Sequence, residues 1–282
     1  MAFARAAAVL AAVTLHALAQ RSSGPANGIL VVDGGETSQL VIDEFVRLAG
    51  GPKARIAVIP TGASSLRFGD EKTILNPDWP RDRPEWALYE RHLRRMFRVD
   101  AITILHTRDR AAASTSAFTQ PLNSVTGVFL GTGNAGRHAA AYLGTATQAA
   151  LKAVLDRGGV IMGSSAGSII LGSFIVRGRP DKPLLMPTGH TEGFGFLRNV
   201  AINPHLTSAK RDNELVNVCD AHPSVLGLGL DDGVALVVRG NRFEVIGTGG
   251  VAVYDNTPKQ GAWYYWLKPG ESFDLAIWAK TR

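Results

Sequence analysis

The chain of 282 residues is 45% hydrophobic and 19% charged, and its formal net charge is +6. This composition supports a buried core and excludes a disordered or fibrous chain. The single cysteine, Cys219, excludes an internal disulfide and a thiolate zinc site, and its apolar helical surroundings predict buried packing. Basic residues between Arg81 and Arg98 alternate with acidic ones, which favours a solvated helix face over a nucleic-acid surface.

The N-terminal residues have the layout of a secretory signal. Arg5 precedes an apolar stretch from Ala6 to Leu15, and Ala-Leu-Ala follows at residues 17–19. The apolar stretch is too short to span a bilayer permanently. We therefore expect residues 1–19 to be removed, residues 20–282 to form a single domain, and the protein to be exported to a periplasm or the extracellular space without stable membrane insertion. A frayed N-terminal helix is the alternative.

Short apolar strands alternate with helices along the first half of the chain. Strands are predicted at residues 28–33, 55–59, 101–105 and 125–130, and helices from Gln39 to Leu48, from Glu85 onward and from Thr145, as N-cap, to Arg157. This alternation is typical of a parallel sheet covered on both faces. Residues 66–84, rich in Pro, Asp and Arg, interrupt it as a surface insertion, which is either a lid or simply tolerated.

The stretch from residue 158 to residue 171 runs from a buried strand, through small residues, into an apolar helix. Its centre reads GSSAG at residues 163–167, the G-x-S-x-G pattern of a nucleophile elbow. The glycines let the backbone turn tightly, and the turn holds the Ser165 hydroxyl at a helix N-terminus, where free N–H groups suit a developing oxyanion. Gly/Ser-rich turns are common, but a purely structural turn does not need five consecutive small residues between two buried elements.

A second glycine-rich loop, GTGNAG at residues 131–136, follows the strand at 125–130. It matches G-x-G-x-x-G formally, so a dinucleotide site has to be considered. The next strand ends in small residues where an acid should meet a ribose hydroxyl, which disfavours that interpretation. Loops at the carboxyl ends of adjacent parallel strands share one crevice, so we expect this loop to lie beside Ser165.

Two further strands end in residues that a serine nucleophile requires, namely a base and an acid that orients it. His205 closes the strand at residues 200–205, a helix is predicted from about Arg211 to Asp220, and Asp231 and Asp232 follow a strand that begins at Val225. If these strands lie in the sheet that carries Ser165, the three side-chain types meet at one edge. His190, in a Gly/Thr-rich loop, stays open as a second candidate base.

The last third of the chain changes character. Residues 234–238 and 243–246 alternate in hydrophobicity like the two strands of a hairpin, and residues 273–278 have the pattern of a final edge strand. The predicted fold class is therefore α/β, a mostly parallel central sheet between helical layers with an antiparallel hairpin near the C-terminus.

The order serine, histidine, acid differs from that of α/β-hydrolase lipases and esterases, in which the acid precedes the histidine. The chain resembles instead the cyanophycinase and aspartyl dipeptidase family of serine peptidases, from about Ile29 to Ile277. The most specific segments are GSSAG at 163–167, FLGTGN at 129–134, GLGLDDGVA at 227–235 and LKPGESFDL at 267–275. The resemblance implies a three-layer α/β/α sandwich of the class I glutamine amidotransferase type, no metal or organic cofactor, and a homodimer.

The resemblance also implies roles for individual residues. Ser165 matches the nucleophile and His205 the base, while Asp232 stands where cyanophycinases have a glutamate. The dipeptidase branch takes its acid soon after the nucleophile, where Asp181 stands, so Asp181 is the alternative acid. The implied oxyanion donors are the backbone N–H groups of Ala166 and Gly133.

Substrate contacts are implied for Asn134, Asn203 and Arg211. Several positions depart from the family pattern: Ala135 replaces an amide, Asn203 and Pro204 replace Asp-Gln before the histidine, and Ala209 and Glu214 replace arginines. The reversed charge at Glu214 disfavours a pocket for the β-linked Asp-Arg unit of cyanophycin.

The predicted function is that of an exported serine peptidase that cleaves peptide or isopeptide bonds, aspartyl bonds among the candidates, through an acyl-enzyme on Ser165. The departures at Ala135 and Pro204 keep open a non-catalytic binding protein on the same fold. An esterase that uses the same elbow is the remaining alternative.

Overall fold

The computed structural model describes residues 22–69, 72–179, 191–256 and 262–282. The strands in these ranges are β1 (Ile29–Asp33), β2 (Arg55–Ile59), β3 (Leu66–Phe68), β4 (Thr73–Leu75), β5 (Ala101–Ile104), β6 (Gly127–Leu130), β7 (Val160–Ser164), β8 (Gly172–Phe174), β9 (Leu197–Asn203), β10 (Leu226–Leu230), β11 (Val234–Arg239), β12 (Arg242–Gly247), β13 (Val251–Tyr254), β14 (Tyr265–Leu267), β15 (Ser272–Asp274) and β16 (Ala279–Lys280). The helices are α1 (Gln39–Leu48), α2 (Pro84–Phe97), α3 (Arg110–Ala113), α4 (Ser116–Thr119), α5 (Ala135–Tyr142), α6 (Ala146–Asp156), α7 (Ala166–Leu171) and α8 (Glu214–Ala221).

The larger sheet has the described strand order β16-β15-β12-β11-β1-β7-β6-β2-β5. Its strands β1, β7, β6, β2 and β5 are parallel, and β11, β12, β15 and β16 extend it in antiparallel fashion. The parallel strands are nearly continuous apolar runs because helices cover both of their faces. This confirms the predicted α/β class with a mostly parallel centre and antiparallel strands near the C-terminus.

Successive side chains of each central strand point to opposite faces of the sheet, so they pack into two separate apolar layers. On one face Val31 and Met162 pack with α1 and α2, whose apolar sides include Phe45 and Phe97. On the other face Ile161 and its neighbours pack beneath α5, α6 and α7. The amphipathic helices thus bury their apolar stripes on a sheet that is apolar on both sides.

A second, smaller sheet has the described order β14-β13-β10-β9-β8. Helix α7 contacts both sheets, and α8, with the buried Cys219 that the sequence predicted, covers the smaller one. The expectation that His205 and Asp232 follow strands of the sheet that carries Ser165 is therefore wrong. Strand β7 is paired on both edges, with β1 and β6, so β8, β9 and β10 cannot pair with it and lie in the second sheet.

The C-terminal hairpin is confirmed as β11 and β12, which pair in antiparallel register from Val234 with Gly247 to Arg239 with Arg242. The predicted edge strand at 273–278 is wrong in extent. Only β15 continues the sheet, and the chain then turns, with the Ala276 N–H bonded to Asp274 Oδ1 at 2.8 Å, before β16 forms the edge. An Asp side chain that bonds the backbone two residues on favours a turn over a straight strand.

The insertion at residues 66–84 contains the β3–β4 hairpin and packs against the core through the buried Phe68 and Leu75. Asp78 attaches the second half of the insertion to the segment after β5, because its carboxylate accepts hydrogen bonds from Arg108 and from the ring of His106, at 2.8 and 2.9 Å. Burial opposes ionisation of Asp78, but these bonds outweigh it and hold its pKa below the ordinary value.

Helix boundaries agree with the sequence where a local cap sets them and shift where it does not. Helix α1 has its predicted bounds, with the Ser38 hydroxyl as its cap. The helix predicted near residues 211–220 begins only at Glu214, after a series of turns. Thr145 does stand before α6, but its hydroxyl donates to Tyr142 O and does not cap the helix. No helix in the described ranges combines the length and apolarity that crossing a membrane would need.

Candidate active site

Ser165 lies at the sharp turn between β7 and α7, with φ 52° and ψ −108°. An added Cβ at Gly163 would lie 2.2 Å from Gly167 O, and one at Gly167 would lie 2.1 Å from Leu130 O. Both glycines of G-x-S-x-G are therefore required by close backbone approach. The strained conformation of Ser165 is maintained because its neighbours are packed on every side.

Ser165, His205 and Asp232 form one continuous chain of hydrogen bonds. The distance from Ser165 Oγ to His205 Nε2 is 2.9 Å, and the distance from His205 Nδ1 to Asp232 Oδ1 is 2.5 Å. A carboxylate can only accept, so Nδ1 carries the hydrogen and Nε2 is left as an acceptor for the serine hydroxyl. The arrangement is that of a nucleophile, a base and an orienting acid.

The two neighbouring carboxylates at the end of β10 have different partners. Asp232 bonds His205 with one oxygen and accepts from the Ser208 hydroxyl with the other, at 2.5 Å. Asp231 turns away and accepts from the backbone and hydroxyl of Thr207 and from the Gly250 N–H. Asp231 therefore holds the loop after His205, while Asp232 holds the imidazole itself.

The two backbone N–H groups expected to form an oxyanion hole are both unpaired among the described residues. Ala166 is the first residue of α7, where a helix has no acceptor for the N–H. Gly133 has φ +119°, and an added Cβ there would lie 2.3 Å from Gly62 O. Only glycine fits this position, so the loop conformation depends on it.

The side chains of Asn134 and Asn203 are already engaged within the protein. Asn134 Oδ1 accepts from the N–H of Arg137 at the start of α5, and its Nδ2 donates to Arg179 O at 3.0 Å. Asn203 is fully buried and donates to Glu214 Oε2 at 3.2 Å. Both amides thus support the walls around the triad through bonds of their own.

A buried cation lies beside these residues and was missed in the sequence. Arg177 donates to Asn203 Oδ1 and to the Glu214 carboxylate, and Arg211, which was predicted, donates to Pro204 O at 3.1 Å. Burial, together with the nearby charge of Arg211, lowers the pKa of Arg177 to about 10. No motif marks Arg177, because its partners are distant in sequence.

A buried carboxyl was also missed. Asp33 closes β1 and is fully buried, next to Ser164 of the elbow. Burial raises its pKa to about 6, although hydrogen bonds from Thr37, Ser164 and Gly35 lower it. The signal was present, since Asp33 ends a buried strand as Asp232 does. Asp181 and His190, the alternative acid and base, lie outside the described residues.

The sequence profile of Peptidase family S51 matches residues 29–246. The chain belongs to this peptidase family. A cyanophycinase of Trichormus variabilis is 27% identical over 241 residues, 81% of this chain and 74% of that protein. A cyanophycinase of Synechococcus elongatus is 28% identical over 236 residues, with 81% and 68% covered.

Among solved structures, a peptidase from an acI-B1 Actinobacterium superposes with a TM-score of 0.64 at 19% identity, covering 89% of this chain and 98% of that chain. At this identity the likeness concerns the fold. Together with the family match, it confirms the resemblance found in the sequence, and this S51 member is a serine-type peptidase.

Proposed function

We propose that this S51 peptidase cleaves peptide or isopeptide bonds through an acyl-enzyme on Ser165. The observation that carries the proposal is the chain of hydrogen bonds from Ser165 Oγ to His205 Nε2, 2.9 Å, and from His205 Nδ1 to Asp232 Oδ1, 2.5 Å. The distance from Ser165 Oγ to His205 Nε2 lies within the range needed for proton transfer between a nucleophile and its base.

In the first half of the reaction, Ser165 Oγ attacks the scissile carbonyl carbon and its proton passes to His205 Nε2. Asp232 stabilises the imidazolium that forms. The tetrahedral intermediate then collapses, the C–N bond breaks, and the leaving amine takes the proton from Nε2. In the second half, water attacks the Ser165 ester and its proton passes to Nε2. The C–Oγ bond then breaks, Nε2 returns the proton to Ser165 Oγ, and the acid product is released. The N–H groups of Ala166 and Gly133 would receive the oxyanion in both halves.

For the substrate, we propose a peptide whose cleaved residue carries an acidic side chain. Two guanidinium groups contact the residues directly before His205, Arg177 at Asn203 and Arg211 at Pro204. Their charges are opposed by the Glu214 carboxylate and, for Arg211, also by Asp232. Burial lowers the pKa of both arginines, so a carboxylate that joins them relieves an unfavourable desolvated charge. The relatives are named cyanophycinases, but Ala135, Pro204 and Glu214 favour an aspartyl peptide over cyanophycin.

The test compares the full chain with Ser165→Ala and His205→Ala on cyanophycin and on a panel of α- and β-aspartyl peptides, with products identified by mass. We expect cleavage of aspartyl peptides by the native protein, and a loss of at least a thousandfold in both variants. Ser124→Ala, at an exposed serine, is the matched control and should retain full activity. Cleavage that survives in Ser165→Ala would disprove the assignment, and release of β-Asp-Arg would replace the proposed substrate with cyanophycin.

Export belongs to the same proposal and rests on the signal-like pattern of residues 1–19. Expression of the full chain in a bacterium should give a periplasmic or secreted product that begins at Gln20. A cytoplasmic product that retains its first residues would exclude export.

A further inference from the structure

The turn formed by residues 33–35, named here the 33–35 turn, accepts backbone hydrogen bonds from Ser165, from His205 and from the residue after Asp232. Asp33 O accepts from the Ser165 N–H at 3.2 Å and from the Ser168 hydroxyl at 2.7 Å. Gly34 O accepts from the His205 N–H at 3.0 Å. Gly35 O accepts from the Gly233 N–H at 2.9 Å, directly after Asp232. The nucleophile belongs to the larger sheet and the base and acid to the smaller one, so this turn connects the two halves of the site.

The turn also packs directly against the imidazole ring of His205. A Cβ added to Gly35 would lie 2.0 Å from His205 Cε1 and 2.6 Å from Nδ1, so the ring rests directly on the glycine backbone. Gly35 has φ +113°, a conformation that other residues rarely adopt. A small displacement of the turn therefore displaces His205 relative to Ser165.

The conformation of the 33–35 turn is held by the Asp33 carboxylate. A single oxygen, Oδ2, accepts from the Gly35 N–H at 3.3 Å, from the Thr37 hydroxyl at 2.5 Å and from the Ser164 hydroxyl at 2.7 Å. The other oxygen, Oδ1, is buried and has no partner in the described structure. Protonation at Oδ1 would leave Oδ2 as a neutral carbonyl oxygen, which is a weaker acceptor for these three donors than a carboxylate oxygen.

We infer that Asp33 is a positioning residue of the peptidase, whose ionised carboxylate holds the 33–35 turn and thereby aligns His205 with Ser165. The inference rests on the proposed role of Ser165 as nucleophile. The strands beside Asp33 present Ser164 and Ala235 to it, and α7 presents Ser168, all uncharged. The ionisable group that acts on it is Asp232, whose charge opposes a second negative charge, while the His205 ring lies against Gly35 of the same turn.

Ionised Asp33 carries a cost in stability, because burial raises its pKa from 3.8 to about 6. A folded-state pKa above the unfolded one means that the stabilisation present below pH 3.8 is lost as the pH rises through about 6. At neutral pH the protein therefore retains a charge that weakens the fold. A buried charge that lowers stability is expected where it serves activity, as in a positioning residue, and not where the role of the residue is purely structural.

The test measures the rate at which a fluorophosphonate labels Ser165, which needs no knowledge of the natural substrate. In Asp33→Asn, the amide oxygen keeps the shape of the acceptor but not its charge. We expect labelling at pH 7.5 to be at least tenfold slower than in the native protein, with a melting temperature that is higher by several degrees. Thr147→Val, which removes a buried hydroxyl bond to Ala113 O, is the control and should melt earlier with unchanged labelling.

Thr37→Val keeps the carboxylate but removes one donor, which raises the pKa of Asp33 further. As the pH is lowered from 7.5, the labelling rate of this variant should therefore begin to fall at a higher pH than that of the native protein. Native labelling speed in Asp33→Asn, or an unshifted pH profile in Thr37→Val, would overturn the inference. If the native protein is not labelled at all, it is the proposed nucleophile that fails, and the two failures are thereby distinguished.

Discussion

At the scale of single residues, glycines decide how closely the parts of the site approach. Gly163 and Gly167 allow the elbow, Gly133 allows the loop beside it, and Gly35 allows the His205 ring to lie on the backbone. Each of these positions excludes even one methyl group because another backbone or a ring occupies the space. The geometry of the triad therefore depends on residues that carry no reactive group.

The Gly35→Ala variant should lose activity beyond its loss of stability. The new methyl group would overlap His205 Cε1, 2.0 Å away, and push the ring from Ser165. Gly158→Ala is the matched control, since Gly158 also has a positive φ, +89°, but finds no atom within 4 Å. The control should cost about 1 kcal/mol of unfolding free energy and keep its labelling rate. Equal labelling of the two variants would show that Gly35 does not position His205.

At the scale of elements, the ends of the strands carry the chemistry and the helices hold the loops in place. His138 on α5 is fully buried, and its ring donates to Gly131 O at 3.0 Å, at the start of the loop that contains Gly133. A Cβ on Gly62 would lie 2.7 Å from the same ring nitrogen, so this helix, the loop after β2 and the loop after β6 are packed together. Helix α5 thereby helps to hold the Gly133 loop beside the elbow.

The His138 ring should make the protein sensitive to acid. Burial lowers its pKa from 6.5 to about 4, so the stability it provides is present above pH 6.5 and is lost as the pH falls through about 4. His138→Gln keeps a donor for Gly131 O without a titrating group. Urea unfolding at pH 7, 5.5 and 4 should show a smaller loss in this variant, by up to about 3 kcal/mol. The control His222→Gln, at an exposed position, should lose as much unfolding free energy between pH 7 and pH 4 as the native protein. If His138→Gln also loses as much as the native protein, the prediction is wrong.

At the scale of the whole molecule, two sheets share one core. Helix α7 follows the elbow and lies between them, with Ile170 completely buried. The site is formed where loops of both sheets meet, so Ser165 and His205 keep their distance only if the sheets keep theirs. We expect residues 22–282 to unfold as one cooperative unit, in line with the single domain predicted from the sequence.

Hydrogen exchange tests this cooperativity. Ile170→Ala should lower the opening free energy of amides in β1 and β7 and of those in β9 and β10 by the same amount, about 2–5 kcal/mol. Leu88→Ala, at a partly exposed position on α2, should change both by less than about 0.5 kcal/mol. A decrease confined to one sheet would mean that the two sheets unfold as separate domains.

The sequence by itself determined the features that depend on neighbours along the chain. Apolar runs marked the strands, GSSAG marked the turn around Ser165, and strand ends pointed to His205 and Asp232. These signals are local, because a strand, a tight turn and the residue that follows them are set by a few consecutive side chains. The boundaries failed where distant contacts decided them, as in the turn that ends β15 and in the late start of α8.

Only the tertiary structure decided which strands share a sheet and which charges share a pocket. His205 and Asp232 reach Ser165 from a second sheet because β7 has no free edge. The contact of Arg177 with Glu214 joins residues far apart in the chain, and the role of Asp33 depends on strands β1 and β7 lying side by side. Such pairings are fixed by the burial of whole faces, to which no single stretch of sequence corresponds.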